Sequence, residues 1–161
     1  MKVEESLGLD GIVKRFDHVS WAVGDIRDAL PLVELLGGRF YQGADHVRNS
    51  FRWVQFRLPQ GMLEIMSPLG ADSFLHKFLR ERGEGLHHLT FEVADLSDAA
   101  RIAEEKGFRV TGLNFSEYWS EAFLHPRTTN GVLIQLAQWE EDIWVGYTLE
   151  EVLAGLSIDA S

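Results

Sequence analysis

Short stretches of this 161-residue chain alternate apolar and polar residues with a period of two, and helical spacing fills the intervals between them. From Phe16 to Val23 the alternation puts Val19, Trp21 and Val23 on one face of a strand and His18, Ser20 and Ala22 on the other. Asp25 then reads as a helix cap. Ile26, Ala29, Leu30, Val33 and Leu36 form an apolar helical stripe, which Gly37 and Gly38 end. A strand near Arg39 to Gln42, a polar loop over 43–50, and strands at Phe51 to Leu58 and Met62 to Met66 follow, the last two joined by a turn at Pro59-Gln60-Gly61. A helix from Asp72 to Arg82 carries Phe74, Leu75, Phe78 and Leu79 on one side.

The same order then recurs. A strand from Leu86 to Val93 sets His88, Thr90 and Glu92 opposite Leu89, Phe91 and Val93. A helix from Asp95 to Lys106 ends at Gly107, and strands follow near Phe108 to Leu113, Ala122 to His125 and Val132 to Ala137. Laid 70 residues apart, His18 on His88, the two stretches also match at Asp25 and Asp95, Asp28 and Asp98, Ala29 and Ala99, and Gly37 and Gly107. The pattern predicts an α+β fold of paired βαβββ modules, about 15–70 and about 85–138. Their curved mixed sheet would pack its Val/Trp and Leu/Phe faces on the helices and turn its histidine faces toward a metal cleft. Residues 139–161 read as an amphipathic arm outside the repeat, and the chain as a single domain over 1–161.

Candidate chemistry lies on the histidine faces. The last strand of each half carries one polar residue among apolar ones: Glu64 between Leu63 and Ile65, and Gln135 between Ile134 and Leu136. Glu64 and Gln135 are 71 residues apart, one more than the repeat. His18, Glu64, His88 and Gln135 thus form two related pairs, and two imidazoles, a carboxylate and an amide oxygen can hold a divalent ion. Singly, each has an ordinary reading: a strand histidine as a hydrogen-bonded core residue, Glu64 as a solvent-facing carboxylate. Burying an unpaired carboxylate is costly, which makes Glu64 the hardest to read as plain packing. His46 and His76 read as surface residues, His87 as facing away from His88, and His125, before Pro126, as shaping a loop. Trp53, Tyr118 and Trp119 read as packing residues rather than ligand contacts.

Composition narrows the picture. A net charge of −10 argues against a nucleic-acid partner. The absence of cysteine rules out disulfides, thiolate-ligated zinc and a cysteine nucleophile, and fits a cytoplasmic protein. The opening MKVEESLGL reads as too acidic and short for a signal peptide, and no apolar run reaches the roughly 20 residues that span a bilayer, so no membrane role is expected. Trp144, Val145, Leu149, Val152 and Leu153 offer apolar surface on the arm, and a homodimer is expected.

Three stretches carry a family likeness: Asp17-His18-Val19 with Ala22-Val23; Gly83-Glu84-Gly85-Leu86-His87-His88-Leu89; and His125-Pro126-Arg127-Thr128-Thr129-Asn130-Gly131-Val132-Leu133-Ile134. In these the chain resembles the vicinal oxygen chelate superfamily of glyoxalases, extradiol dioxygenases and bleomycin resistance proteins, and within it the methylmalonyl-CoA epimerases. The resemblance covers about residues 15–138. It implies a metal cleft with His88, the second of the His-His pair, as a ligand, and a small-molecule substrate, possibly an acyl-CoA; the duplicated positions add the expectation of one divalent ion (Co, Mn, Zn, Ni or Fe) held by His18, Glu64, His88 and Gln135. The implied chemistry is isomerase, epimerase or lyase chemistry through an enediolate, with Glu64 as ligand and candidate base. Two departures stand out. Similar epimerases carry a glutamate where this chain has Gln135, and another in the loop before the third strand, where Gln42 to His46 offers only Asp45. The alternatives are an Fe(II) dioxygenase using His18, His88 and Glu64 as a facial triad, or a non-catalytic binding or resistance protein. The sequence shows no dedicated CoA motif, and nothing in it singles out Lys14, Arg48 or Arg52 as a phosphate contact.

Overall fold

A computed structural model of the chain describes residues 11–140 and 146–155. Along these residues the elements are β1 (Val13–Ala22), α1 (Ile26–Leu35), β2 (Arg39–His46), β3 (Phe51–Leu58), β4 (Gly61–Pro68), α2 (Leu75–Arg82), β5 (Gly85–Val93), α3 (Leu96–Glu105), β6 (Val110–Asn114), β7 (Ser120–Leu124), β8 (Ile134–Gln138) and α4 (Leu149–Ala154). The fold is α+β with strands of mixed direction, and β-α-β-β-β occurs twice in the chain order. The caps are those expected: Asp25 accepts from the Arg27 N–H at 2.9 Å and Asp95 from the Asp98 N–H at 2.8 Å.

The described residues divide into two compact units. One takes 17–89 with the described part of 140–155. Its strands run in the order β2-β3-β4-β1; β4 pairs antiparallel with β3 and parallel with β1. The parallel ladder sets Ser20 beside Glu64, and the antiparallel ladder sets Gln55 on the other side of the same residue. Val19, Trp21 and Val23 pack with Ile26, Leu30 and Val33 of α1 around Leu63 and Ile65, as the alternation predicts. Leu36, expected in that stripe, is an exposed cap residue. Trp53 packs near Ala22, Met66 and Leu75 beneath α2. The other unit takes 11–16 and 90–139. It has the order β8-β7-β6, with Phe91 and Val93 packed near Leu96, Ala99 and Ala103 of α3.

The expected polar loop over 43–50 is mostly strand. β2 continues to His46 because Ala44, Asp45 and His46 pair with Trp53, Arg52 and Phe51. Gly43 permits this close ladder, since a Cβ there would stand 2.7 Å from the Trp53 carbonyl oxygen. What remains of the loop is one 3₁₀ turn at Val47–Asn49, closed by Ser50 at φ 51°.

The arm folds back on its own chain. A capping box between Thr148 and Glu151 starts α4, and Val152 is fully buried in the core of the first unit, with Tyr147, Leu149 and Leu153 packed against it. Arg27 and Arg52 both donate to the Leu153 carbonyl, at 2.5 and 3.1 Å. Leu149, Val152 and Leu153 therefore serve the chain's own core, not the free apolar surface expected of them; Trp144 and Val145 lie outside the described residues.

Candidate metal centre

His18 on β1, Glu64 on β4 and His88 on β5 come together within one unit: one ligand atom from each lies within 4.8 Å of the others. All three are buried, at 1%, 8% and 4% exposure. The strand positions follow from alternation, and the β1–β4 register supplies the meeting point, since Ser20 opposes Glu64 and His18 lies on the same face two residues earlier. The His18 and His88 rings lie edge to face with centroids 5.8 Å apart.

Each group is held from behind. His18 Nδ1 donates to Asp17 Oδ2 at 2.7 Å, which turns Nε2 toward Glu64 Oε1, 3.6 Å away. Glu64 Oε1 accepts from the Ser20 hydroxyl at 2.8 Å and Oε2 from the Gln55 amide at 3.4 Å. His88 Nδ1 meets His87 Nδ1 at 2.8 Å. His87, expected to face away from His88, thus touches the site. Its ring lies 4.7 Å from Phe78 and 6.0 Å from Phe74, centroid to centroid. The doubled histidine was its only signal in the sequence. The contacts of Ser20 and Gln55 with Glu64 were not legible, because they come from ladder register.

The electrostatics are those of a buried ion pair. Burial opposes charge on His18, but the Glu64 carboxylate, with Asp17 behind the ring, outweighs it and raises the His18 pKa to about 9. Burial alone would raise Glu64; His18 foremost, with His88 and the Ser20 hydroxyl, lowers it to about 2. Burial also lowers the pKa of His87, against the pull of Glu64 and with Arg82 adding to it.

The set fits a divalent cation. It combines two imidazoles and a carboxylate in a buried position, with a carboxylate on the far nitrogen of one histidine, an arrangement common at metal sites. In the metal-free protein His18 carries a proton that a metal must displace. Apparent Co(II) affinity is therefore expected to rise about tenfold per pH unit from pH 7 to about 9, then flatten. Metal-free stability follows the same linkage. The raised His18 contributes stability that is complete below its ordinary 6.5 and is lost as pH rises through about 9. The lowered Glu64 contributes stability that is complete above 4.5 and is lost as pH falls through about 2. Metal titrations and urea unfolding across pH check both; a Co(II) affinity flat from pH 7 to 9 would contradict the ion pair.

Gln135 lies on β8 in the other unit, 6% exposed. Its amide oxygen accepts from the Thr90 hydroxyl at 2.6 Å and its NH₂ donates to Glu121 Oε2 at 2.6 Å. Thr90 on Gln135 repeats Ser20 on Glu64. Glu121, which the sequence did not single out, also accepts from Trp119 Nε1 at 3.0 Å.

The remaining candidates have other partners. Asp45 forms a two-pronged pair with Arg52, at 2.6 and 3.0 Å, so neither residue is poised as a free acid/base group or phosphate contact. Lys14 and Arg15 pair with Glu92, while Arg48 lies in the exposed 3₁₀ turn. His76 is exposed, as expected. His46 is half-buried, stacked on Phe51 at 5.0 Å and capping the 3₁₀ turn. His125 caps the turn at Pro126–Thr128, as expected. Tyr118 is exposed, and Trp119 stacks on Trp139 at 4.8 Å.

Comparison with known proteins places the chain in a family and matches its fold. Residues 17–122 match the profile of a family described as the Glyoxalase/Bleomycin resistance protein/Dioxygenase superfamily. An uncharacterized Bacillus subtilis protein is 32% identical over 81% of this chain and 96% of its own length. The ethylmalonyl-CoA/methylmalonyl-CoA epimerase of Cereibacter sphaeroides is 30% identical over 79% of this chain and 99% of its own. The crystal structure of the Mycobacterium tuberculosis methylmalonyl-CoA epimerase superposes with a TM-score of 0.73 at 26% identity, covering 85% of this chain and 95% of that one.

Proposed function

This chain belongs to the glyoxalase/bleomycin resistance protein/dioxygenase superfamily and is an enzyme of epimerase type, and on that footing we propose that it acts metal-dependently on an acyl-CoA thioester, moving the proton at the carbon beside the carbonyl. The carrying observation is the buried group of His18, Glu64 and His88. Gln135 joins the proposed ligand set on its place in the repeat.

A divalent ion held there would polarise the thioester carbonyl and stabilise the oxyanion of an enediolate. The chain's own part is to hold and to move a proton. Asp17 keeps the His18 proton on Nδ1, so that Nε2 presents its lone pair once the second proton has left. A bound ion would keep the basicity of Glu64 low in place of that proton's charge, so Glu64 would act as a base when its hold on the ion loosens. Ser20 and Gln55 hold the two carboxylate oxygens in place. Glu64 then takes the α-proton and gives a proton back to the same carbon, which exchanges that hydrogen with solvent.

The test is solvent deuterium. The metal-stripped protein, reloaded with Co(II), Mn(II) or Zn(II), is expected to incorporate deuterium at the α-carbon of methylmalonyl-CoA or ethylmalonyl-CoA, and to stop when the ion is chelated. No incorporation with any of these ions would overturn the proposal. Two histidines and one carboxylate are equally the facial set of Fe(II) oxygenases, which favours one second reading. Oxygen consumption by the Fe(II)-loaded protein without deuterium incorporation would select it.

A further inference from the structure

The residue just before each ligand histidine engages that histidine's Nδ1. Asp17 does so for His18 at 2.7 Å, and His87 for His88 at 2.8 Å. Asp17 and His87 occupy the same place in the two halves of the repeat, 70 residues apart. We propose that His87 is a positioning residue: its Nδ1 accepts a hydrogen bond from the Nδ1–H of His88 and thereby fixes the tautomer in which His88 Nε2 carries the lone pair for the metal.

The chemistry of two facing imidazole nitrogens leaves two arrangements. At 2.8 Å one of the two Nδ1 atoms carries the hydrogen and the other accepts it. If His87 donates, neutral His88 has its hydrogen on Nε2 and no lone pair there. If His87 accepts, His88 Nε2 is bare and able to ligate. Metal binding through Nε2 is compatible only with the second. The Phe78 and Phe74 rings, centroids 4.7 and 6.0 Å from that of His87, hold the imidazole in place. The two halves thus back their ligands differently, one with an anionic carboxylate and one with a neutral ring. His88 is in consequence the less anionic donor.

The inference rests on the metal reading of the site, and the experiment separates the two. Full-length parent, His18→Ala, His87→Leu and His87→Asn proteins are titrated with Co(II) and followed by visible absorption. His87→Leu, which has no acceptor, is expected to lose about 10- to 100-fold in affinity. His87→Asn, whose amide oxygen can accept at a similar reach, should stay within a few-fold of the parent. Parent-like Co(II) binding by His87→Leu, or a loss in His87→Asn as large as in His87→Leu, overturns the inference alone. No Co(II) binding by the parent, or parent-like binding by His18→Ala, overturns the metal reading and the inference with it. One measurement needs no variant. In ¹⁵N-histidine NMR spectra of the Zn(II)-loaded parent, His87 should show its hydrogen on Nε2; a hydrogen on Nδ1 refutes the inference even if His87→Leu fails to fold.

Discussion

Glu64→Gln is expected to slow α-proton exchange on methylmalonyl-CoA by about 10²- to 10⁴-fold at saturating Co(II), the range for loss of a positioned base. The substitution is nearly isosteric. Its amide oxygen can still accept from the Ser20 hydroxyl, 2.8 Å away in the parent, so the strand and its ladder should survive. What goes is the charge. Without the carboxylate, burial has less to oppose it at His18 and the histidine deprotonates at lower pH. The variant should therefore bind Co(II) with a shallower pH dependence than the parent even as it loses activity. Mass spectrometry of deuterium uptake reads the first effect and metal titration at several pH values the second. Exchange as fast as in the parent would remove Glu64 as the base.

His18→Ala should show the second large effect, and in the absence of any metal. Removing the imidazolium leaves the Glu64 carboxylate, 8% exposed, without its partner. Breaking a buried pair in this way costs about 3–5 kcal/mol, and urea unfolding of the metal-stripped protein at pH 7 should show it. The loss should shrink at lower pH, where the stranded carboxyl takes up a proton. It should also shrink in the His18→Ala/Glu64→Gln double variant, where no charge is left to strand. If the single and double variants unfold at the same urea concentration, the pair is not what stabilises this part of the fold.

Much of this was legible because the repeat is written in two registers at once. The period-two alternation around His18 and His88 showed which face they take, and the 70-residue offset paired them. Neither signal needed tertiary information. Glu64 was legible as one acid in an otherwise apolar strand. The supports of the site were not. Gln55 reaches Glu64 because β3 and β4 pair in one particular register, and a shift of one residue would have turned it to the other face. Asp45 read as a spare carboxylate because its strand looked like a loop. The ladder that extends β2 is the one that brings Arg52 to it. His87 was misread for a related reason. Alternation describes the direction of Cβ, whereas a ring nitrogen two bonds further out can still turn toward its sequence neighbour.

The return of α4 has a consequence for how the molecule is made. The core around Leu63 and Ile65 is finished by Val152, and the Leu153 carbonyl is gripped by Arg27 and Arg52. On a ribosome these partners emerge far apart in time: Arg27 and Arg52 lie 126 and 101 residues before Leu153. The earlier segments can pair their strands as they emerge, but their apolar centre must wait, partly open, for α4 to be synthesised. Contacts of such sequence separation slow closure. A nascent chain stalled before Thr148 should remain sensitive to protease within residues 17–89, and one long enough to bring α4 out of the ribosome should lose that sensitivity.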